Sequence, residues 1–165
     1  MALATIGYEG LDTQAFFNIL IGSGVQTIID IRELPISRKR GFSKTALSTH
    51  AASFGLRYVH LPILGAPRDI RHEYRDDNDW DRFSTRYLAH LKLQGAEIER
   101  LMKLVQEEEC CLLCFEANHL RCHRRYVANA LYAKTGGELK INHLAAIETA
   151  PAAWLRPSAD ITSLR

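Results

Sequence analysis

Short apolar runs that end in glycine or polar residues alternate along this chain with segments whose apolar positions recur every three or four residues. The first pattern is typical of buried strands in a parallel sheet, and the second of helices that pack on it. Strands are predicted over residues 4–7, 25–32, 57–61, 110–115 and 138–144, and helices from Asp12 to Gly22, Ser43 to Phe54, Trp80 to Val105 with a bend near Gly95, and Arg121 to Gly136. Strands that alternate with helices indicate the α/β class, with a mostly parallel five-stranded sheet in a three-layer, Rossmann-like arrangement.

Strand order and domain organisation follow from this architecture. We expect the common order 3-2-1-4-5, which brings the end of the first strand and the end of the Cys110 strand together across one crevice. A chain of 165 residues suffices for one core, so residues 1–150 are predicted to form a single domain and residues 151–165 a C-terminal tail. The highly charged segment between Arg68 and Asp79 has no periodicity and is expected to be an irregular surface excursion or lid.

Composition excludes several classes of protein. The apolar and charged fractions, 47% and 24%, are ordinary for a globular protein, and the net charge of +2 is too small to indicate a nucleic-acid binder by itself. No apolar stretch approaches transmembrane length and no leader pattern is visible, so we expect a cytoplasmic protein without a membrane partner. Three of the four cysteines cluster at positions 110, 111 and 114, which favours reduced thiols over a disulfide framework.

The stretch from Cys110 to Tyr132 is the most informative. It is an apolar strand that ends at Glu116, followed by a turn and by a helix start that carries three arginines and a histidine between residues 121 and 125. Unpaired N–H groups at a helix start stabilise anions, and clustered cations there indicate that a negative group binds nearby. The sequence therefore predicts a phosphate site at this end of the sheet.

Two glutamates at predicted strand ends are the candidate catalytic groups. Glu9 follows the first strand and Glu116 follows the fourth, where a carboxylate can act as a general acid or base or stabilise an oxocarbenium-like sugar. The structural alternative is that each caps a helix or pairs with Arg32 or Arg124. Tyr8 is a further candidate, for stacking on a base or donating its hydroxyl, and an ordinary packed tyrosine is the alternative.

Four cations are candidate phosphate ligands: Arg32, Arg38, Lys44 and Arg124. Guanidinium groups match phosphate oxygens bidentately. The structural alternative is a set of ion pairs with neighbouring acids. His123 is expected at the rim of the same site, where it can hydrogen-bond an anion.

Cysteine chemistry gives two further hypotheses. Cys114 at a strand end is a possible nucleophile, but its spacing to Arg121 is one residue longer than a tyrosine-phosphatase cradle requires, and Glu116 inside that cradle would repel a phosphate. His119, Cys122 and His123, together with Cys114, also suit zinc, because thiolates and imidazoles are its usual ligands. Because Cys122 and His123 would point about 100° apart in a helix, we predict no metal and no cofactor.

Several motifs resemble the domain of unknown function 488 family. In the order of that family, they are residues 5–10, 30–32 with Pro35, 37–38 and 41–44, Tyr58 with 60–62 and 64–65, and 113–116 with 122–124. The resemblance implies a single Rossmann-like domain of bacterial or archaeal cytoplasmic type, without a settled activity, for which nucleotide or nucleic-acid base chemistry is favoured. Ala66 departs from the second glycine that the family often has after Leu64-Gly65.

The motifs add Ser37 and Phe42 to the predicted substrate-binding residues. The resulting hypothesis is an enzyme, possibly of hydrolase type, that acts on a phosphate-bearing nucleotide or nucleic-acid substrate with its glutamates in acid–base or glycosidic-bond chemistry. Two alternatives stay open: a non-catalytic nucleotide- or nucleic-acid-binding module, and a thiol-dependent enzyme that uses Cys114.

Overall fold

The computed structural model describes residues 1–146, so the predicted tail 151–165 lies outside the described residues. The strands are β1 (Ala2–Gly7), β2 (Thr27–Asp30), β3 (Arg57–His60), β4 (Cys110–Cys114) and β5 (Lys140–His143). The helices are α1 (Thr13–Gly22), α2 (Lys44–Ser53), α3 (Arg68–Asp77), α4 (Trp80–Lys92), α5 (Gly95–Glu107) and α6 (Arg124–Lys134), and short 3₁₀ turns span Pro62–Leu64 and His119–Arg121. In this part of the chain no helix combines the length and the apolar character that crossing a membrane requires.

The five strands form one parallel sheet, which confirms the α/β, three-layer, Rossmann-like fold. The expected strand order is wrong in one respect, because the observed order is β3-β2-β4-β1-β5 and β4 takes the place predicted for β1. All five residues of β4 are buried, whereas β1 is partly exposed at Ala2 and Ala4. A strand buried along its whole length is most stable in the centre of the sheet, with a neighbour on each side and helices on each face.

Alternate strand residues build two cores, one on each face of the sheet. Leu112 of β4 packs with the buried faces of α4, α5 and α6. Its neighbours Cys111 and Leu113 pack on the opposite face with α1 and α2. Since successive strand residues point to opposite faces, the continuous apolar run of β4 serves both cores at once.

The charged segment predicted to be irregular is instead the helix α3, which corrects that expectation. Its buried residue Ile70 reaches the core, while Asp69 and Glu73 pair with Arg86 of α4, the first at 2.7 Å. Charged residues on an exposed helix face hide helical periodicity when only one or two apolar positions face inward. Asn78, in the left-handed conformation at φ 54°, ends α3 and directs the chain into α4.

The start of the last helix also differs from the prediction. Arg121 ends a 3₁₀ turn, Cys122 is extended at φ −137° and ψ 142°, and α6 begins only at Arg124. The side chains of Cys122 and His123 therefore do not follow the 100° spacing of helical neighbours. The expectation that Cys122 and His123 point too far apart to bind one ion is based on a helical conformation that these residues do not have.

Candidate active site

The carboxyl ends of the central strands form the floor of a pocket of about 320 Å³. Tyr8 follows β1, Arg32 follows β2, and Cys114 and Glu116 lie at and just beyond the end of β4. His123, at the start of α6, completes this side of the pocket. Ligand sites in open α/β sheets occupy this edge, so these five predicted residues line the place where chemistry is expected.

The β1–β4 junction positions Glu116. Tyr8 N donates to the carbonyl oxygen of Cys114 at 3.2 Å, and Glu9 N donates to that of Phe115 at 2.8 Å. Gly7 lies so close to the loop after β4 that a Cβ on it would be 1.7 Å from the carbonyl oxygen of Glu116. The site thus requires glycine at position 7 for steric reasons.

Glu9, by contrast, is exposed and outside the pocket lining. Its carboxylate accepts a hydrogen bond from Ala117 N at 2.9 Å, across the loop that follows β4. This contact is neither a helix cap nor an ion pair with Arg32 or Arg124, and through it Glu9 holds the loop that carries Glu116.

Arg124 is almost wholly buried and stabilises the same loop. Its guanidinium donates to Cys114 Sγ at 3.0 Å, to the carbonyl oxygen of Ala117 at 3.0 Å, to Thr5 Oγ1 at 3.3 Å and to the carbonyl oxygen of Glu116. It is absent from the pocket lining. These hydrogen bonds hold the Arg124 guanidinium in place beside Cys114, where it has a structural role.

Arg32 lines the pocket but is also held by protein groups. Its Nε and Nη2 donate to the two carboxylate oxygens of buried Asp30 at 2.9 and 2.7 Å, and its Nη1 donates to the carbonyl oxygen of Phe42 at 2.7 Å. A further contact joins Nη1 to the hydroxyl of Tyr8 at 3.3 Å. Burial alone would lower the pKa of Arg32, but the Asp30 carboxylate outweighs it and raises that pKa above its usual value.

The remaining predicted residues are placed around this arrangement rather than in the pocket lining. Phe42 is buried behind Tyr8, with the two rings stacked at 4.4 Å between centroids. Ser37 N donates to Ser43 Oγ at 3.0 Å and so shapes the loop. Arg38 and Lys44 are exposed and do not line the pocket.

A cluster of two thiols and a carboxyl group lies at the pocket floor. The ligand atoms of Cys114, Glu116 and Cys122 all lie within 4.8 Å of one another. The Cys114 thiol donates to Glu116 Oε2 at 3.2 Å, and Cys122 Sγ accepts from Arg124 N at 3.5 Å. Nδ1 of His123 is 3.9 Å from Cys122 Sγ, while Nε2 is 3.1 Å from the carbonyl oxygen of Ile31.

Burial and mutual contact shift the acidity of this cluster. Burial, followed by the nearby Cys122, raises the pKa of Glu116 to about 7. Burial and the same neighbour raise the pKa of Cys114 well above its ordinary value. Burial would also raise the pKa of Cys122, but its hydrogen bond with Cys114 and the charges of His123 and Arg124 lower that pKa well below the ordinary value. A proton can therefore be held or released near neutral pH at the pocket floor.

The opposite wall of the pocket is aromatic, which the pattern of residues along the chain does not predict. Trp80 and Phe83 stack at 4.9 Å between centroids, and Tyr74 contacts Trp80 edge-on at 5.6 Å. The guanidinium of Arg121 lies 5.7 Å from the centre of the Trp80 ring, and Arg121 has no ion-pair partner within residues 1–146. The spacing of Trp80 and Phe83 indicated a buried helix face, and only the position of α3 reveals that this face also borders the pocket.

Fold and pocket together define a doubly wound α/β protein with a ligand-sized cleft at the carboxyl edge of its sheet. Residues 12–131 match the family model described as "Domain of unknown function DUF488", and the chain belongs to this family. The match confirms the family resemblance and spans the motifs that follow β2, β3 and β4, whereas the β1 motif at residues 5–10 lies before the matched range. Comparison with curated proteins and with solved structures gives no significant match.

Proposed function

We propose that this protein is an enzyme that acts on a phosphate-bearing nucleotide or nucleic-acid base, with Glu116 as its proton-transfer group. The observation that carries the proposal is the position of Glu116, whose carboxyl group borders a pocket that has aromatic side chains on its other wall. A base held against those rings presents its edge or its glycosidic bond to the strand ends. A carboxyl group there can donate or accept a proton, or stabilise positive charge that develops on a sugar.

The aromatic wall supports a planar ligand. Stacking of a base on an aromatic side chain is worth about 1–3 kcal/mol and does not depend on base identity. Trp80 and Tyr74 are both partly exposed, so each has surface left for a ligand. The volume of about 320 Å³ lies near the lower end of the usual range for ligand sites and suits a base with its sugar.

Arg121 supports the phosphate part of the proposal. It is exposed at the pocket, and its guanidinium adjoins the Trp80 ring that would hold the base. Because Arg32 and Arg124 are bound to protein groups, Arg121 is the arginine that would contact the phosphate. Guanidinium forks are well matched to phosphate oxygens.

Glu116→Gln is the decisive variant, with Glu109→Gln as its matched control. Glu109 is an exposed glutamate just before β4, at the opposite edge of the sheet. Both variants and the wild type are incubated with a panel of nucleosides, nucleotides and short oligonucleotides, and products are followed by chromatography. We expect Glu116→Gln to lower kcat by at least about 100-fold, the usual contribution of a general acid or base, with ligand Kd nearly unchanged.

Retention of full turnover in Glu116→Gln would refute this role. Tight binding by the wild type without any turnover would instead favour a binding module. If that ligand is a nucleic-acid polymer, affinity should fall steeply as salt increases, because phosphate contacts release counterions.

A thiol-dependent reaction is the second candidate, favoured by the position of Cys114 and Cys122 on the pocket floor. It predicts that Cys114→Ser abolishes turnover while Glu116→Gln has a much smaller effect. Comparing the loss of turnover in Cys114→Ser with that in Glu116→Gln distinguishes the two candidate functions.

A further inference from the structure

We infer that Cys114, Glu116 and Cys122 form a binding site for a thiophilic divalent cation of the zinc type, open towards the pocket. The inference goes beyond the proposed reaction, since cation binding is measurable whether or not a substrate is turned over. It differs from the sequence-based expectation of no metal, because it uses Glu116 rather than His123 as the third ligand.

Proximity of the donors is the first argument. Two thiolates on one zinc ion, each about 2.3 Å from it in tetrahedral geometry, lie a little under 4 Å apart. Here Sγ of Cys114, Sγ of Cys122 and a carboxylate oxygen of Glu116 already lie within 4.8 Å of one another. Small rotations of side chains are therefore enough to close the donors around an ion.

Charge balance is the second argument. Three deprotonated donors carry three negative charges, which are costly at buried positions without compensation. A divalent cation neutralises two of them, and the Arg124 guanidinium, 3.0 Å from Cys114 Sγ, faces the third. Donors in an outer shell of this kind are common around metal-bound ligands.

The carboxyl group of Glu116 also lacks a strong partner of its own. Within the described residues its one side-chain hydrogen bond comes from the Cys114 thiol, a weak donor. Arg124 does not pair with this carboxylate, because its guanidinium donates to the loop carbonyl oxygens, to Cys114 Sγ and to Thr5 Oγ1. A cation between the thiolates supplies the missing partner.

The chemistry of the donors selects the ion, and the pocket defines the open position. Thiolates favour Zn²⁺ and similar ions over Mg²⁺ or Ca²⁺, which prefer oxygen ligands. Three protein ligands with a fourth position open to a pocket are the arrangement of catalytic rather than structural zinc sites. In this arrangement one carboxylate oxygen of Glu116 binds the ion, and the other remains available to accept a proton from a ligand in the pocket.

The test uses the full chain, stripped with a chelator under reducing conditions, and Co²⁺ or Zn²⁺ alone as the probe. Co²⁺ should bind at one equivalent with a thiolate charge-transfer band in the near ultraviolet, and Zn²⁺ should displace it. Cys122→Ala should weaken binding by at least about 100-fold, since even outer-shell changes cost about 10–100-fold. The matched control is Cys111→Ala, because Cys111 is also a fully buried cysteine but lies in β4 and packs with α1 and α2.

Absence of the band, or equal Zn²⁺ affinity in Cys122→Ala and Cys111→Ala, would overturn the inference. Should Cys122→Ala fail to fold, the wild type still decides the question. Zn²⁺ must slow alkylation of Cys114 and Cys122 in peptide mass spectra, and unchanged labelling would count equally against the site.

The same experiments separate this inference from the proposed reaction. Zn²⁺ binding without turnover of any substrate removes the proposed function and leaves the metal site intact. Turnover that persists in chelated protein without a cobalt band removes the metal site alone.

Discussion

Gly7→Ala tests the steric requirement at the β1–β4 junction. The added methyl group would lie 1.7 Å from the carbonyl oxygen and 2.4 Å from the carbonyl carbon of Glu116. Both are backbone atoms that cannot rotate away. Since Cβ contacts below 3.0 Å essentially do not occur, the strand end and the loop must separate by more than about 1 Å.

The expected loss of stability follows from what this separation breaks. The hydrogen bonds from Tyr8 N to the carbonyl oxygen of Cys114 and from Glu9 N to that of Phe115 join the residues next to the clash, and each contributes about 1 kcal/mol net. Overpacking itself costs about 1–3 kcal/mol. We therefore expect the free energy of unfolding to decrease by about 3–5 kcal/mol, which for a chain of this size lowers Tm by roughly 6–20 °C.

Urea unfolding followed by circular dichroism measures this change, and Gly22→Ala is the control. Gly22 is the last residue of α1 and has no atom within 4 Å of its added Cβ, so alanine there should be neutral or stabilising by up to about 1 kcal/mol. The steric argument is wrong if the two variants unfold at the same urea concentration. In the proposed enzyme, Gly7→Ala should also reduce kcat, because the loop that carries Glu116 moves.

Two further predictions concern charge. Asp30→Asn should lower the free energy of unfolding by about 3–5 kcal/mol in urea titrations, because it leaves the buried Arg32 guanidinium without its counterion. The control Asp12→Asn, at the exposed start of α1, should be nearly neutral. Equal stabilities of the two variants would contradict the role of the Asp30–Arg32 pair. Burial and nearby arginines lower the pKa of the stacked His119 and His143, so the contribution of this pair to stability falls as pH drops below about 6.5, whereas Glu116, whose pKa is raised, acts in the opposite direction. The Tm of the wild type should therefore decrease relative to that of His143→Gln as pH drops below about 6.5, and parallel curves would reject this explanation.

Local patterns in the sequence were sufficient for the elements but not for all of their neighbours. The buried run of β4 and the Asp12 cap of α1, which accepts from Ala15 N at 2.8 Å, are both legible from residue types. The exchanged positions of β1 and β4 in the sheet cannot be predicted in this way. Hydrophobic periodicity indicates that a strand is buried, but not which strand lies beside it. The helix α3 is not apparent from the sequence because only Ile70 and Tyr74 face the core, and two apolar positions among so many charged residues give too short a periodic pattern.

The location of the candidate site could be predicted from the sequence, but the protein groups to which its side chains bind could not. Strand ends in a parallel sheet converge, so Tyr8, Arg32, Cys114 and Glu116 were expected near one another. Whether a guanidinium binds a ligand or the protein depends on contacts between distant segments, as with Arg124 and its loop carbonyls. The extended conformation of Cys122 likewise depends on the turn before it, which no residue type specifies.

The helical pair α3 and α4 has a consequence for selectivity. It supplies the rings that face the strand ends, and it lies in the chain between β3 and β4, with α3 and α4 joined by the Asn78 turn. Substitutions at Tyr74 or Trp80 can therefore change the shape and polarity of the molecule that is accepted while the reactive groups keep their positions. In the proposed enzyme, the wall that determines ligand selectivity and the strand ends that carry the reacting groups would therefore belong to separate segments of the polypeptide.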